Sequence, residues 1–200
     1  MSVFQEINRK KANLFWHIVD IISSRSDLFG NIYQKHIGIH YINEAKKFKF
    51  THASSILHIG SGAYPITALI LADLFDAHIV TIDKNPVVLK IARNVVKKKG
   101  LTNKIDVVNG NGLSIDVSPF DVIVISSCSV PKEEILAHIF TKTNDKCKII
   151  VRELPSEIDE LKRFVKQYKN VVQVDEILCC AAPNLCWNSL YFHKNSSKKK

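Results

Sequence analysis

The sequence predicts an α/β domain in which helices cover both faces of a mostly parallel β-sheet. From residue 55 onward, short apolar runs of strand type alternate with helical segments, which is the pattern of a parallel sheet. The last two strand candidates follow one another without a helix between them, and this predicts an antiparallel hairpin at one edge. The length of 200 residues, with 46% hydrophobic and 24% charged residues, suits one domain of this class.

Residues 1–50 have helical patterns instead of strand patterns. Apolar residues recur at helical spacing in the first segment, at Phe4, Ile7, Ala12, Phe15, Ile18, Val19 and Ile22. A break is predicted over 23–30, and a second helix over 32–48. We therefore expect a short helical segment over 1–50, the α/β domain over 51–194 and a basic tail over 195–200.

Strands and helices alternate along the rest of the chain. Strands are predicted at 55–59, 77–82, 104–108, 120–126, 147–151, 171–178 and 190–193. Helices are predicted at 65–75, 85–99, 131–140 and 156–168. This order predicts a Rossmann-like sheet, which binds its ligands at the carboxyl ends of the parallel strands. The hairpin ending is similar to that of the S-adenosylmethionine-dependent methyltransferase superfamily.

The formal net charge of +9 is concentrated partly at the end of the chain, where Lys194 and Lys198–Lys200 supply four positive charges. No aromatic residues are interleaved with these lysines to stack on bases, which disfavours a nucleic-acid partner. The sequence has no apolar run of about 18 residues, so we expect no membrane span. The polar N-terminus lacks the apolar core of a signal peptide, and we expect a cytoplasmic protein.

The five cysteines are expected to be reduced thiols. Their odd number and irregular spacing do not suit a disulfide framework, and no CxxC pair is present to ligate a metal. We therefore predict no metal site. His58 and His78 lie within predicted strands and are expected to be core residues hydrogen-bonded to backbone groups.

A glycine loop, Gly60-Ser61-Gly62, joins the first predicted strand to the following helix. Glycines at such a turn let the backbone approach a ligand closely, and free N–H groups at the helix N-terminus favour an anionic group. A dinucleotide-binding fingerprint requires a third glycine where Pro65 stands, so a pyrophosphate is disfavoured. The shorter methionine portion of S-adenosylmethionine suits this loop, and a structural turn without a ligand is the alternative.

Polar residues follow the next two strands at the same predicted edge of the sheet. Asp83, followed by Lys84, closes the second strand, where a carboxylate can accept hydrogen bonds from both ribose hydroxyls. Capping of the following helix is the alternative role for Asp83. Asn109, Gly110 and Asn111 follow the third strand, and they suit either hydrogen bonds to an adenine edge or a plain turn.

The segment 126–131 follows the fourth strand, where the methyltransferase superfamily places catalytic residues. Ser126 is expected to contact the cofactor. The segment lacks the Asn/Asp-Pro-Pro-Tyr/Phe sequence that holds a base amine in many nucleic-acid methyltransferases, which disfavours that activity. Cys128 has no recognisable catalytic partner and is expected to be an inert thiol.

The sequence GSGAYPIT over 60–67 resembles the G-[SG]-G-P-L-P-L-T loop of nicotianamine synthases. Further segments resemble that family in the same order along the chain, at 80–83, 120–122, 126–132, 148–152 and 188–190. The resemblance covers about 44–194. The chain departs from the family at Ala63, where the family has Pro, and in a shorter helical region before the loop.

The resemblance implies transfer of the 3-amino-3-carboxypropyl group of S-adenosylmethionine to an amine of a small molecule or amino acid, with release of methylthioadenosine. The family has a glutamate in the helical segment before the loop, and Glu44 lies at the matching place, to orient or deprotonate the attacking amine. Without the resemblance, Glu44 is interpreted as an exposed residue paired with a lysine. Tyr64 stands where the family has Leu, and either its hydroxyl reaches the substrate carboxylate or its ring packs.

Two other functions stay open at this point. A methyltransferase acting on a small molecule explains the fold equally well, because a sulfonium activates all three carbons bound to it and the pocket geometry selects among them. A non-catalytic module that binds the cofactor or RNA is the third hypothesis. The sequence leaves open the identity of the acceptor and the assembly, a homodimer among the possibilities.

Overall fold

The computed structural model describes residues 3–50, 52–183 and 185–195. Two helices precede the sheet, α1 (Val3–Arg25) and α2 (Asp27–Lys47). The strands are β1 (Ser55–Ile59), β2 (His78–Asp83), β3 (Ile105–Asn109), β4 (Val122–Ile125), β5 (Lys148–Glu153), β6 (Val171–Ala182) and β7 (Leu185–Lys194). The later helices are α3 (Ile66–Leu74), α4 (Pro86–Lys98), α5 (Lys132–Lys142) and α6 (Ile158–Val165). Of the predicted basic tail over 195–200, only Asn195 lies within the described residues.

The strands of the described residues form one seven-stranded sheet in the order β3-β2-β1-β4-β5-β7-β6. The first five strands in chain order run parallel, and β7 is antiparallel to both β5 and β6. The carboxyl ends of the central strands are level, because Ile59 pairs with Ile82 on one side and with Ile125 on the other. This order confirms the predicted Rossmann-like fold with an antiparallel edge, and it places the topological switch point between β1 and β4.

Both faces of the sheet are buried, because successive side chains of a strand point to opposite sides. Ile56 and Val124 belong to the core on one face, together with side chains of α2, α3 and α4. Leu57 and Ile123 belong to the core on the other face, together with side chains of α5 and α6. The central strands are therefore held from both sides, which fixes the position of the loops at their carboxyl ends.

The two N-terminal helices follow each other almost without interruption. Ser26 stands between them, and its hydroxyl accepts a hydrogen bond from the backbone N–H of Phe29 at 3.4 Å, so the second helix begins there. The predicted break over 23–30 is therefore wrong over most of its length. Gly30 lies within α2, where a Cβ atom would be 2.8 Å from the hydroxyl oxygen of Tyr64, so here glycine serves close packing and does not end the helix.

The C-terminal hairpin is longer than its predicted strands, and a disulfide joins its two strands. Cys180 and Cys186 face each other in the antiparallel register and form this disulfide. The prediction that all cysteines are reduced is thus wrong for this pair, because strand pairing brings together two thiols whose sequence spacing shows no pattern. Cys128, Cys147 and Cys179 are free thiols. No helix among the described residues is both long and apolar enough to cross a bilayer.

Candidate functional site

Two adjoining cavities lie at the carboxyl edge of the sheet, beside the switch point. Gly60 and Cys128 line both cavities, so the glycine loop and the segment after β4 form the boundary between them. We call the cavity on the β2 and β3 side the edge cavity and the one beneath α1 and α2 the inner cavity. The edge cavity is formed mainly by strand ends and the loops that follow them, whereas helices α1 and α2 also line the inner cavity.

The glycine loop approaches its neighbours too closely for other residues. Gly60 and Gly62 have φ angles of 91° and 65°, which non-glycine residues rarely adopt. A Cβ atom on Gly60 would collide with the hydroxyl of Ser129, and one on Gly62 would collide with the carboxylate of Asp20. The backbone N–H groups of Gly60 and Ser61 donate hydrogen bonds to the carbonyl of Ile82, both at 2.9 Å. The loop is therefore anchored to β2, and Gly60, Ser61 and Gly62 line the inner cavity.

The edge cavity contains the acidic residue predicted to bind a ribose. Asp83 is half-buried, and its Oδ1 accepts a hydrogen bond from the backbone N–H of Asn85 at 3.0 Å. Its Oδ2 accepts a hydrogen bond from the backbone N–H of Gly62 at 3.3 Å. Asp83 thus fixes the glycine loop and also presents a carboxylate to the cavity, which Lys84 and Gly110 line as well. Its role in ribose binding stays a prediction.

The segment after β3 is divided between the cavity and solvent. Asn111 lines the edge cavity, and its Oδ1 accepts a hydrogen bond from the backbone N–H of Leu113 at 3.0 Å. Asn109 is exposed at the end of β3, next to Asp83 in the strand register. Asn111 is therefore better placed than Asn109 to meet an adenine edge. Its side-chain N–H donors are the groups that its turn leaves for that contact.

The inner cavity combines aromatic walls with one acidic and one basic side chain. Its aromatic walls come from α1, α2 and β7, where the rings of Trp16 and Tyr33 stack at 6.2 Å and those of Tyr41 and Trp187 meet edge-on at 6.0 Å. Among the described residues that line it, Asp20 is the one carboxylic acid and Arg152 is the one guanidinium or ammonium group. Within the part of the chain that the structure describes, the buried indole nitrogen of Trp187 has no hydrogen-bond partner. This cavity can hold a molecule that carries an amine, a carboxylate and an apolar or aromatic portion.

Asp20 is a site residue that the sequence reasoning missed. Its carboxylate accepts hydrogen bonds from the backbone N–H groups of Tyr64 and Ala63. Burial nevertheless raises the pKa of Asp20 to about 8, and the nearby charge of Asp83 adds to this increase. One signal was present in the sequence, because Trp16 and Asp20 are four residues apart on the same side of a predicted helix.

Glu44 is buried and paired with Arg152, so the alternative of an exposed, lysine-paired glutamate is wrong. Arg152 Nη2 and Nε donate to the two carboxylate oxygens of Glu44 at 2.7 and 3.0 Å, and Arg152 Nη1 donates to the hydroxyl of Thr67 at 2.7 Å. The guanidinium also lies 3.6 Å from the ring centre of Tyr41. Arg152 faces the inner cavity, while Glu44 stands behind it. Direct contact of Glu44 with a substrate stays a prediction.

The side chain of Tyr64 packs between the glycine loop and α2. The residue is buried, its hydroxyl donates a hydrogen bond to Gln34 Oε1 at 3.4 Å, and its ring lies 5.8 Å from that of Tyr33. Burial raises the pKa of Tyr64 to about 12. These contacts favour the packing role over a contact with the substrate carboxylate, which stays a prediction.

His58 is a buried core residue, but its partners are side chains. Its Nδ1 lies 2.9 Å from the hydroxyl of Thr81 and its Nε2 lies 2.8 Å from that of Ser126. Ser126 donates a hydrogen bond to the Gly60 carbonyl at 3.1 Å, so it can accept one from His58 Nε2–H. Burial lowers the pKa of His58 to about 3, with the charge of Arg152 as a second cause. A neutral His58 therefore positions Ser126 and the glycine loop.

Three further predictions concern His78, Ser61 and metal binding. His78 is exposed and lies 3.1 Å from the carboxylate of Asp106, so the prediction of a core histidine is wrong. It stands at the first position of β2, where the side chain reaches solvent. Ser61 is buried, and its hydroxyl donates to the Gly62 carbonyl at 3.2 Å. Across residues 3–50, 52–183 and 185–195, no group of three or more His, Cys, Asp or Glu side chains could hold a metal ion.

A family model described as "Nicotianamine synthase protein" matches residues 28–198 of the chain. The curated protein L-histidine 2-aminobutanoyltransferase of Yersinia pestis is 29% identical over 97 residues, which are 48% of this chain and 36% of the relative. The match thus spans about a third of that relative's length.

Solved structures show the same fold. A mutant of MtNAS superimposes with a TM-score of 0.75 at 16% identity, covering 97% of this chain and 78% of that one. MtNAS in complex with MTA and tNA gives a TM-score of 0.75 at 18% identity, covering 93% and 74%. The mitomycin 7-O-methyltransferase MmcR gives 0.64 at 16% identity, covering 82% of this chain and 55% of its own.

Proposed function

This chain belongs to the nicotianamine synthase family, and we propose that it transfers the 3-amino-3-carboxypropyl group of S-adenosylmethionine to an amine of a small molecule. Methylthioadenosine is the second product. The observation that carries this proposal is the pair of adjoining cavities that meet at Gly60. The edge cavity has the groups to bind a nucleoside, and the inner cavity has the groups to bind an amino acid.

The edge cavity fits the nucleoside portion of the donor. Asp83 offers carboxylate oxygens to ribose hydroxyls, and Asn111 offers side-chain N–H donors to a base. The methionine portion then crosses the glycine loop at Gly60 and Gly62 and enters the inner cavity. A side chain at either glycine would fill this path or displace its neighbours.

The inner cavity fits the reacting groups and the acceptor. Arg152 can donate to a carboxylate with the N–H groups that Glu44 and Thr67 leave free. We propose that Glu44 acts through Arg152, by holding the guanidinium in place for that carboxylate.

An amino acid is the acceptor class that these groups favour. The name of the Yersinia relative identifies L-histidine as the molecule on which that protein acts, and the aromatic walls of the inner cavity suit an imidazole ring by stacking. We therefore propose L-histidine as the first acceptor to test. The cytoplasmic location and a homodimeric assembly stay predictions from the sequence.

Methyl transfer is the second candidate function, because the fold is shared with a methyltransferase. The two activities differ in the carbon that the amine attacks. Attack on the methylene carbon of the aminocarboxypropyl chain breaks its bond to sulfur and leaves methylthioadenosine, whereas attack on the methyl carbon leaves S-adenosylhomocysteine. The nucleoside product therefore identifies the reaction.

The test is mass spectrometry of the purified protein incubated with S-adenosylmethionine and either L-histidine or a pool of other amines and amino acids. We expect methylthioadenosine above the rate without enzyme, together with an acceptor that has gained the aminocarboxypropyl group. S-adenosylhomocysteine as the product establishes the methyltransferase instead. Binding of the donor with neither product contradicts transfer to any acceptor in the pool, and leaves an acceptor outside the pool or a binding module.

A further inference from the structure

A disulfide lies where the C-terminal hairpin meets the inner cavity. Cys180 of β6 and Cys186 of β7 form this bond, and Leu185, Cys186 and Trp187 line the inner cavity. We propose that the disulfide is a thiol-exchange site that controls binding of the acceptor. The oxidised form holds this wall of the cavity in place, and reduction releases it. The inference rests on the proposed transfer reaction and adds a regulatory site to it.

Trp187 is the aromatic side chain that the hairpin contributes to the inner cavity. Its ring meets those of His40, Tyr41 and Trp16 edge-on, at centre-to-centre distances of 5.4, 6.0 and 6.4 Å. These contacts join β7 to α1 and α2 beside the cavity. Trp187 directly follows Cys186 in the chain, so a backbone movement at Cys186 also moves this ring.

The strand pairing near the disulfide is irregular. The register of β6 against β7 shifts between Cys180 and Ala182. Among the described strands, β6 stands at the edge of the sheet, so strand pairing holds it from one side. The carbonyl of Ala181 lies 2.8 Å from His36 Nε2 on α2, and this contact is exposed to solvent. The covalent bond is therefore the strongest link at this end of the hairpin.

The two cysteines of the bond differ in their surroundings. Cys180 is exposed, whereas Cys186 lines the inner cavity. A thiol in solvent can therefore attack Cys180 without entering the cavity. The neighbouring Cys179 is 2% exposed, and its side chain points to the opposite face of β6, because successive side chains of a strand alternate. Its thiol is thus kept away from the disulfide.

The disulfide closes a short loop, because its two cysteines are 6 positions apart in the chain. A cross-link of this length restricts the unfolded chain less than one that closes a long loop. We therefore expect the fold to survive reduction and the change to stay near the end of the hairpin. The edge cavity should not change, since none of the described residues that line it belongs to β6 or β7.

The exchange is a two-electron reduction by a dithiol. One thiolate of the dithiol forms a bond to the sulfur of Cys180, and the bond between Cys180 and Cys186 breaks. The electron pair of the broken bond stays on the sulfur of Cys186. The second thiolate then attacks the mixed disulfide and releases the sulfur of Cys180. The two protons that the dithiol loses are taken up by the two cysteines, the dithiol becomes a disulfide, and an oxidised dithiol reverses the exchange.

The test compares the oxidised and the reduced full chain, with dithiothreitol as the reductant. Alkylation under denaturing conditions and intact-mass spectrometry should count three free thiols before reduction and all five cysteines afterwards. At saturating S-adenosylmethionine, we expect kcat/KM for L-histidine, or for the amine of the pool that reacts, to fall by roughly 10- to 100-fold on reduction. Oxidation should restore it. Affinity for methylthioadenosine, measured by calorimetry, should stay at the oxidised value because this nucleoside occupies the edge cavity.

Two variants separate the cross-link from other effects of the reductant. Cys180→Ser removes the bond at an exposed position. It should keep the wild-type circular dichroism spectrum, have the kcat/KM of the reduced wild type and not respond to dithiothreitol. Cys147→Ser changes a free thiol just before β5, at the opposite edge of the sheet, and should respond to dithiothreitol as the wild type does.

Three results overturn the proposal. The first is an equal kcat/KM in the oxidised and the reduced wild type. The second is a Cys180→Ser variant with the kinetics of the oxidised wild type. The third is a wild-type protein in which all five cysteines are still alkylated after treatment with oxidised dithiothreitol.

Failure of the proposed function gives a different result. If the product is S-adenosylhomocysteine, the aminocarboxypropyl reaction is wrong, while the same comparison of kcat/KM still tests the disulfide. If no product forms, hydrogen exchange measured by mass spectrometry compares the two redox states directly. Faster exchange of the β7 amides next to Cys186 in the reduced protein, with unchanged exchange in β1 and β2, supports release of the cavity wall. Equal exchange in both states overturns it.

Discussion

Replacing Glu44 by Gln should destabilise the protein strongly, because it removes half of a buried ion pair. Glu44 is fully buried and Arg152 is 3% exposed. Glutamine offers one oxygen to the guanidinium, and its NH₂ group faces an Arg152 N–H that needs an acceptor. The variant thus loses a charge-assisted hydrogen bond and leaves the positive charge of Arg152 without its carboxylate.

The expected loss is about 3–5 kcal/mol in the free energy of unfolding, the range for removing one partner of a buried pair. For a chain of this size, this corresponds to a fall of roughly 6–20 °C in Tm. Urea denaturation followed by circular dichroism measures the free energy directly. Glu134→Gln, at an exposed position of α5, is the matched control and should change stability by less than about 0.5 kcal/mol.

A double variant tests the reason for this loss. In Glu44→Gln/Arg152→Met the uncompensated charge is gone, so we expect part of the stability to return relative to Glu44→Gln. Donor binding should survive in the single variant at temperatures where it is folded, while turnover should fall as Arg152 loses its fixed position. Wild-type stability in Glu44→Gln would show that the ion pair does not hold these elements together, and wild-type turnover would show that it does not position Arg152.

Three further perturbations test the site. Asp83→Ala should weaken donor binding by roughly 1.5–3 kcal/mol, measured by calorimetry. Unchanged affinity would show that Asp83 does not bind the ribose of the donor. Gly62→Ala should lower stability by more than about 1 kcal/mol, because its φ is 65° and the new Cβ meets Asp20; a thermal melt like that of the wild type contradicts this. Burial lowers the pKa of His58 to about 3 in the folded protein, whereas a histidine in the unfolded chain has a pKa of about 6.5. Between these two values only the unfolded chain protonates this ring. Stability should therefore fall as the pH drops below about 6.5, by up to roughly 1.4 kcal/mol per pH unit. His58→Gln should flatten that slope, and an unaltered slope excludes His58 as its cause.

The order of strands and helices was predictable because each element has a local pattern. The run at 55–59 is apolar because β1 is buried on both faces. Asn85 and Pro86 predict a helix start, and the Asn85 side chain accepts a hydrogen bond from the Val87 N–H at 3.0 Å. The loop GSGAYPIT led to the family that the family model also matches.

Local patterns were misleading where distant residues decide the outcome. The break predicted over 23–30 includes Gly30, which lies within α2 at a point where the Tyr64 hydroxyl leaves no space for a Cβ atom. His78 lies in a strand of apolar character, yet it stands at the exposed first position of β2. Cys180 and Cys186 became partners through the register of the hairpin. Each of these outcomes depends on a contact that sequence spacing does not encode.

The sequence by itself determined the fold class, the family and the loop beside which a donor is expected to bind, because hydrophobic period and turn chemistry act over a few residues. The tertiary structure decided which charges are paired inside that site. It buried Glu44 against Arg152, which is 108 positions away, and it brought Asp20 from the first helix onto the glycine loop. The physical reason is desolvation. The pKa of a buried acid, and whether its oxygens are free to contact a ligand, depend on the groups that surround it in three dimensions. Those groups come from elements that are far apart in the chain.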